Sequence, residues 1–197
     1  MKLIKILAVV IAGYLIGSIS SAILVGKIKG IDIRTQGSGN AGATNVTRVL
    51  GKKLGVVVFF IDFFKGVIAC LIGFLVSHEV GVICGFASIL GHNFPVFFGF
   101  KGGKGVSTSF GVILCLDWRI ALILGAVELI MICTLKIVSV SSLTVFALLP
   151  IVTFFLNKGE FYSNVIVTIL LAILVFWRHR TNIERLINGT ENKFGQK

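Results

Sequence analysis

The chain is poor in charge, poorest of all in acids, and nearly without proline. Of 197 residues, 14% are Asp, Glu, Lys or Arg, eight are acidic and two are proline. With 56% hydrophobic residues, so little polar surface cannot cover a water-soluble fold of this size. No hydrophilic stretch is long enough for a separate soluble domain, so residues 1–197 read as a single membrane domain. Cysteine is also scarce. Cys70, Cys84, Cys115 and Cys133 all lie in apolar stretches with no C-x-x-C pair, which gives no ground for a disulfide or metal role. No other metal-ligand constellation stands out, and no cofactor is implied.

Long apolar runs are what the chain does have: Leu3–Gly26, Gly55–Val76, Val80–Phe100, Val106–Leu116, Ile120–Ile137, Val140–Leu156 and Val165–Trp177. Runs of about 17–25 residues suit a bilayer-spanning helix. The expected fold is therefore all-α, a polytopic membrane helix bundle of about seven spans. The fourth run is short and suits a partial span. The fifth and sixth are separated only by Lys136 and Ser139. The first is too long for a signal-peptide core, and further spans follow it, so it reads as a retained helix. On it Gly13, Gly17 and Ser21 recur every four residues, a ridge for close helix packing.

The net charge of +11 sits in short segments between these runs. One alternate set of connections carries Lys27, Lys29, Arg34, Arg48, Lys52, Lys53, Lys101, Lys104 and Lys136, and the tail adds Arg178, Arg180, Arg185, Lys193 and Lys197. The other set carries Lys2, Lys5, Arg119 and Lys158. Seven spans put the richer set on one side, which predicts an outside amino terminus and a cytoplasmic carboxyl terminus. The bases fit membrane orientation and anionic ligands or headgroups; no aromatic–basic surface for nucleic acid is present.

Three segments on that predicted cytoplasmic side carry chemistry. In Gly37-Ser38-Gly39-Asn40-Ala41-Gly42-Ala43-Thr44-Asn45-Val46-Thr47-Arg48, glycines let backbone N–H groups curl around an anion. Ser38, Asn40, Thr44, Asn45 and Thr47 add donors, and Arg48 offers a fork for phosphate. The formal G-x-G-x-x-G match lacks a strand–turn–helix context, so a dinucleotide fold is rejected. In Gly91–Gly105, the piece Lys101-Gly102-Gly103-Lys104-Gly105 precedes a helix beginning near Val106, an end that favours anions. It is not a Walker A loop. His92 reads as a buried hydrogen-bonding residue. The third segment is Arg178-His179-Arg180-Thr181-Asn182-Ile183-Glu184-Arg185; Ser139, Ser141 and Ser142 add hydroxyls on the same side. His179 and Glu184 imitate an H-x4-D pair, but about 500° of helical turn puts them on different faces. Within the second run, Asp62 and Lys65 share a helix face. Such an intramembrane pair is a candidate for function and equally for a structural clip beneath the site. Glu128 is a lone acid in mid-span.

Together GSGNAGATNVTR at 37–48, DFFKG at 62–66, GHNFPVFFGFKGGKG at 91–105 and RHRTNIERL at 178–186 resemble the bacterial acyl-phosphate-dependent glycerol-3-phosphate acyltransferase family. The resemblance implies a multi-pass plasma-membrane enzyme with a cytoplasm-facing site. It implies transfer of a fatty acyl group from acyl phosphate to the 1-position of glycerol 3-phosphate, giving lysophosphatidic acid and phosphate. It also implies a soluble partner that forms acyl phosphate. The residues expected to serve catalysis are Lys104, Ser139, His179 and Asn182. Those expected to bind substrate phosphate are Gly37, Ser38, Gly39, Asn40, Thr44, Asn45, Arg48, Lys101, Gly102 and Gly103. On this expectation, the three segments meet at the inner membrane surface around two phosphates. The rival is a transporter of phosphorylated anions, which predicts polar residues reaching both membrane faces; here they concentrate on one.

Overall fold

The computed structural model describes residues 2–157 and 162–195, so Lys158 and Lys197 of the charge count lie outside the described residues. Among the described residues all regular structure is helical. The chain forms two compact units, Met1–Leu116 and Asp117–Lys197.

The first unit holds α1 (Lys2–Gly17), α2 (Ser21–Ile28), α3 (Ala43–Leu50), α4 (Lys52–Phe74), α5 (His78–Asn93) and α6 (Val106–Leu116). Helix α4 packs against α1, α3, α5 and α6, and α1 packs along α5. Small residues set that last spacing. A Cβ at Gly17 would lie 2.6 Å from Ser88 Cα, and one at Gly91 would lie 2.8 Å from the Ser18 nitrogen. Backbones this close leave no room for a side chain. The expected ridge divides, however. Gly13 and Gly17 face α5, while Ser21 lies past a break and donates to the Val58 carbonyl of α4 at 3.5 Å.

That break, over Ser18–Ser20, interrupts what the sequence suggested as one helix. The Ser18 hydroxyl donates to the Tyr14 carbonyl at 2.9 Å, the local side-chain bond that weakens a helix. At the same end of the unit α5 stops at Asn93, two residues before Pro95, and the Tyr14 hydroxyl donates to the Phe94 carbonyl at 2.7 Å. The chain then turns through a short 3-10 helix, Val96–Phe98, and two left-handed residues, Gly99 (φ 66) and Phe100 (φ 60).

The second unit holds α7 (Trp118–Leu135), α8 (Val138–Asn157), α9 (Tyr162–Arg178) and α10 (Arg180–Ile187), with α8 packed on both α7 and α9. Asp117 caps α7 by accepting the Arg119 N–H at 2.9 Å. The weak boundary between the fifth and sixth runs is a real turn: Lys136 takes a left-handed conformation (φ 57) and its N–H closes on the Ile132 carbonyl. Helices α9 and α10 meet at a 57° bend.

Five segments are long and apolar enough to cross a bilayer: Leu3–Ile28, Lys52–Phe74, His78–Phe98, Trp118–Leu135 and Val138–Asn157. The bent pair α9–α10 makes a sixth if read as one span, and Val106–Leu116 is a shorter apolar helix of 11 residues. Every apolar run expected from the sequence thus contains helix, though the first is broken over Ser18–Ser20, the third leaves the α-helix after Asn93, and not each has full spanning length. Outward faces are strongly apolar, as with Leu7 and Ile11 of α1 and Phe60, Phe64, Ile68 and Leu71 of α4. In water these faces would be a large exposed patch; against acyl chains they are at home.

Candidate active site

In the first unit the glycine-rich segment ends by entering α3, whose first N–H groups have no carbonyl one turn back. Gly37 (φ 58) and Gly39 (φ 70) take the left-handed conformation that the loop requires. Asn45 braces it. Its Oδ1 accepts the Ser38 N–H at 2.8 Å, and its Nδ2 donates to the Ile33 carbonyl at 3.1 Å and the Gln36 carbonyl at 2.9 Å. Both amide N–H groups are therefore committed to loop backbone. Buried, Asn45 shapes the loop through these bonds.

The Lys101–Gly105 segment lies against this loop. The Gly102 N–H donates to the Asn93 carbonyl at 3.3 Å and the Gly103 N–H to the His92 carbonyl at 3.2 Å. A Cβ at Gly103 would stand 2.7 Å from the Ala41 carbonyl oxygen and would also run into His92 Nε2. Two segments about sixty positions apart therefore touch at glycine, beside the entry of α6. A second bridge comes from Arg34, which pairs with Asp32 at 2.8 Å and donates from Nη1 to the Phe98 carbonyl at 3.1 Å. Hydrogen bonds from Arg34 hold the Asp32 carboxyl down to about 2. Lys27 lies 5.5 Å from the centre of the Phe98 ring. Asn93 was not singled out by sequence. It is fully buried and neither side-chain polar atom makes a hydrogen bond among the described residues; the same holds for the Thr108 and Ser109 hydroxyls of α6.

In the second unit Ser139, Asn182 and Arg185 converge on Glu191. Ser139 Oγ donates to Glu191 Oε1 at 3.0 Å, Asn182 Nδ2 to the same oxygen at 2.6 Å, and Arg185 Nε pairs with Oε2 at 2.7 Å. His179 sits at the α9–α10 bend, buried, with Nδ1 2.8 Å from the Val175 carbonyl. A carbonyl only accepts, so Nδ1 carries the proton and Nε2 is the basic nitrogen of the neutral ring. Glu128 is also satisfied on one side, accepting from Ser142 Oγ at 2.8 Å.

Comparison with known proteins decides the family. The family model described as glycerol-3-phosphate acyltransferase matches residues 7–189. The chain belongs to the glycerol-3-phosphate acyltransferase family. The glycerol-3-phosphate acyltransferase of Shouchella clausii is 46% identical over 99% of this chain and 98% of its own length, and that of Aquifex aeolicus is 45% identical over 96% and 100%. The crystal structure of PlsY (YgiH), an integral membrane glycerol 3-phosphate acyltransferase, in its glycerol 3-phosphate form, superposes with a TM-score of 0.92. It has 44% identity, covering 97% of this chain and 96% of that one. The lysophosphatidic acid form gives 0.89 at 43% identity. The chain is accordingly an integral membrane acyltransferase.

Of the segments expected for this acyltransferase site, the fold brings the glycine-rich 37–48 stretch, at Ala41, against Gly103 of the 101–105 stretch in the first unit. It brings Ser139 together with Asn182 in the second. Glu191 was missed. It lies in an irregular tail beyond α10, where an acid carries no pattern, and only its convergent partners reveal it.

Proposed function

We propose that the protein transfers a fatty acyl group from acyl phosphate to the 1-hydroxyl of sn-glycerol 3-phosphate, releasing inorganic phosphate and forming lysophosphatidic acid. The observation that carries this is the meeting of two glycine-rich, donor-bearing loops at Ala41 and Gly103, next to the start of α6. Hydroxyl and amide side chains, a helix amino terminus and nearby lysines and arginine suit phosphate. Relatives of this length and fold captured in glycerol 3-phosphate and lysophosphatidic acid forms support the acceptor and the product.

The chemistry needs no covalent enzyme intermediate. Acyl phosphate is an activated mixed anhydride. The acceptor oxygen attacks its carbonyl carbon, the acyl–phosphate C–O bond breaks, and phosphate leaves with the electron pair. The acceptor proton passes to His179 Nε2 or to a substrate phosphate, whose second pKa is near 6. Catalysis then rests on orientation and charge stabilisation. Ser38, Asn40, Thr44 and Lys104 hold the donor phosphate with their side chains, Lys101 adds a charge for substrate phosphate, and Gly37, Gly39, Gly102 and Gly103 shape the two loops around it. Arg48, His179 and Asn182 hold glycerol 3-phosphate, and Ser139 orients a substrate. Asn45 and Glu191 act as braces. Residues 1–197 act as one membrane acyltransferase domain of about seven spans in the plasma membrane, amino terminus outside and site facing the cytoplasm. A soluble enzyme supplies acyl phosphate.

Purified protein in detergent, given acyl phosphate and glycerol 3-phosphate, should release phosphate and lysophosphatidic acid in equal amounts. Well-folded protein that forms neither ends the enzyme reading. Counterflow of phosphorylated anions in liposomes would favour a transporter.

A further inference from the structure

Helix α4 carries Asp62 and Lys65 with side chains 2% and 5% exposed, in the middle of an apolar span. A buried pair of this kind stabilises less than apolar residues of the same volume, so its presence calls for a reason. The surroundings of the ammonium supply one. Lys65 Nζ donates to the Ile19 carbonyl at 2.9 Å, a group outside the helix ladder at the α1–α2 break, and lies 2.9 Å from His92 Nδ1. Asp62 Oδ1, 2.8 Å away, neutralises its charge as an ion pair without an aligned hydrogen bond.

An ammonium group has no lone pair, so His92 Nδ1 must accept from it. A proton on Nδ1 would face the ammonium, and its alternative acceptor, Asp62 Oδ1, is 3.6 Å away, beyond hydrogen-bond reach. The neutral ring therefore carries its proton on Nε2. That nitrogen is the one turned toward Gly103 where it passes Ala41, and the His92 carbonyl accepts the Gly103 N–H from the same side.

We infer that Lys65 is a positioning residue of the acyl-transfer site: it fixes His92 as the Nε2–H tautomer, and the ring's donor edge keeps the two glycine-rich loops in register. The catalytic half of this inference rests on reading those loops as the phosphate cradle; the tautomer does not. Asp62 holds Lys65 charged, and the Ile19 carbonyl ties the same ammonium to the broken first helix.

Two measurements on the full-length protein test it. In ¹⁵N NMR of histidine-labelled protein in micelles, His92, assigned by its loss in His92→Gln, should show a pyridine-type Nδ1 and a pyrrole-type Nε2. The reverse pattern overturns the inference, whether or not the protein turns over. In kinetics, Asp62→Asn/Lys65→Met removes both charges at once and leaves no lone buried ion. It should keep the unfolding midpoint while kcat/KM falls by on the order of tenfold to a hundredfold. Undiminished kcat/KM refutes the positioning role. If the double variant does not fold, His92→Gln and His92→Leu decide, because glutamine restores an N–H near the Nε2 position. Glutamine should retain about tenfold more activity than leucine, the scale of one hydrogen bond; equal losses overturn the inference. Wild-type protein that transfers no acyl group from acyl phosphate sinks the cradle reading instead, and the spectrum still judges the tautomer.

Discussion

Asn182 donates its side-chain amide to Glu191 at 2.6 Å, and Ser139 donates to the same carboxylate oxygen from another helix. A residue from an irregular tail thus fixes two side chains assigned to substrate. Glu191→Ala should leave both donors and Arg185 without their acceptor. Losing a buried charged acceptor costs about 1–3 kcal/mol. The expected result is a lower unfolding midpoint together with reduced acyl transfer, and Glu191→Gln, which keeps one carbonyl acceptor, should lose less of both. Thermal unfolding in detergent with parallel activity assays checks this.

Gly103 is expected to tolerate no side chain. A Cβ there meets the Ala41 carbonyl oxygen at 2.7 Å, and backbone cannot swing aside as a flexible side chain can. Gly103→Ala should separate the two loops and lower kcat/KM by on the order of a hundredfold while membrane insertion persists. Near-normal kinetics would show that loop contact is unimportant.

Lys104→Ala should collapse turnover while leaving membrane insertion intact, because the half-buried lysine stands at the polar entry of α6 rather than on an apolar face. Unfolding midpoint and steady-state rate, measured on the same preparation, separate the two effects. An active Lys104→Ala enzyme removes this residue from the site.

Asn45→Ala should act through the loop rather than through substrate. Three hydrogen bonds to Ser38, Ile33 and Gln36 vanish together. The expected loss is about 2–3 kcal/mol of stability, with KM rising for whichever phosphate the loop holds. A variant with normal stability and only a lower kcat would instead put Asn45 at the reacting atoms.

The Asp32–Arg34 pair gives a pH signature of known sign. Its carboxyl is lowered from 3.8 to about 2 by Arg34, so the folded state is favoured above about pH 4 and that contribution is lost as pH falls through 2. The pair is partly exposed, so Asp32→Asn should cost less than about 1 kcal/mol at neutral pH. Carboxyl ¹³C titration of the folded protein should find a midpoint near 2 for this residue; an ordinary value would remove the Arg34 contact in solution.

Much of this was legible in one dimension. Apolar runs fix helices wherever a bilayer must satisfy every backbone group internally, so α4 and α6 to α9 lie within a few residues of the runs that announced them. Glycine and hydroxyl density marked both loops, because only such residues can offer bare backbone to an anion. The expected run Val80–Phe100 overshot, because Pro95 cannot continue a helix and α5 stops at Asn93.

Tertiary structure decided the rest, since hydrogen bonds between distant residues leave no periodic trace. The sequence could offer Asn45 and Ser38 equally as phosphate donors; only the folded loop shows that one amide is committed to bracing the other's backbone. It could place Asp62 and Lys65 on one helix face, but not aim the ammonium at Ile19 and His92. It gave Glu191 no distinction at all. Patterning is set by solvent and lipid, which act on every residue alike. The direction of a single donor is set by its neighbours, which come together only when the chain folds.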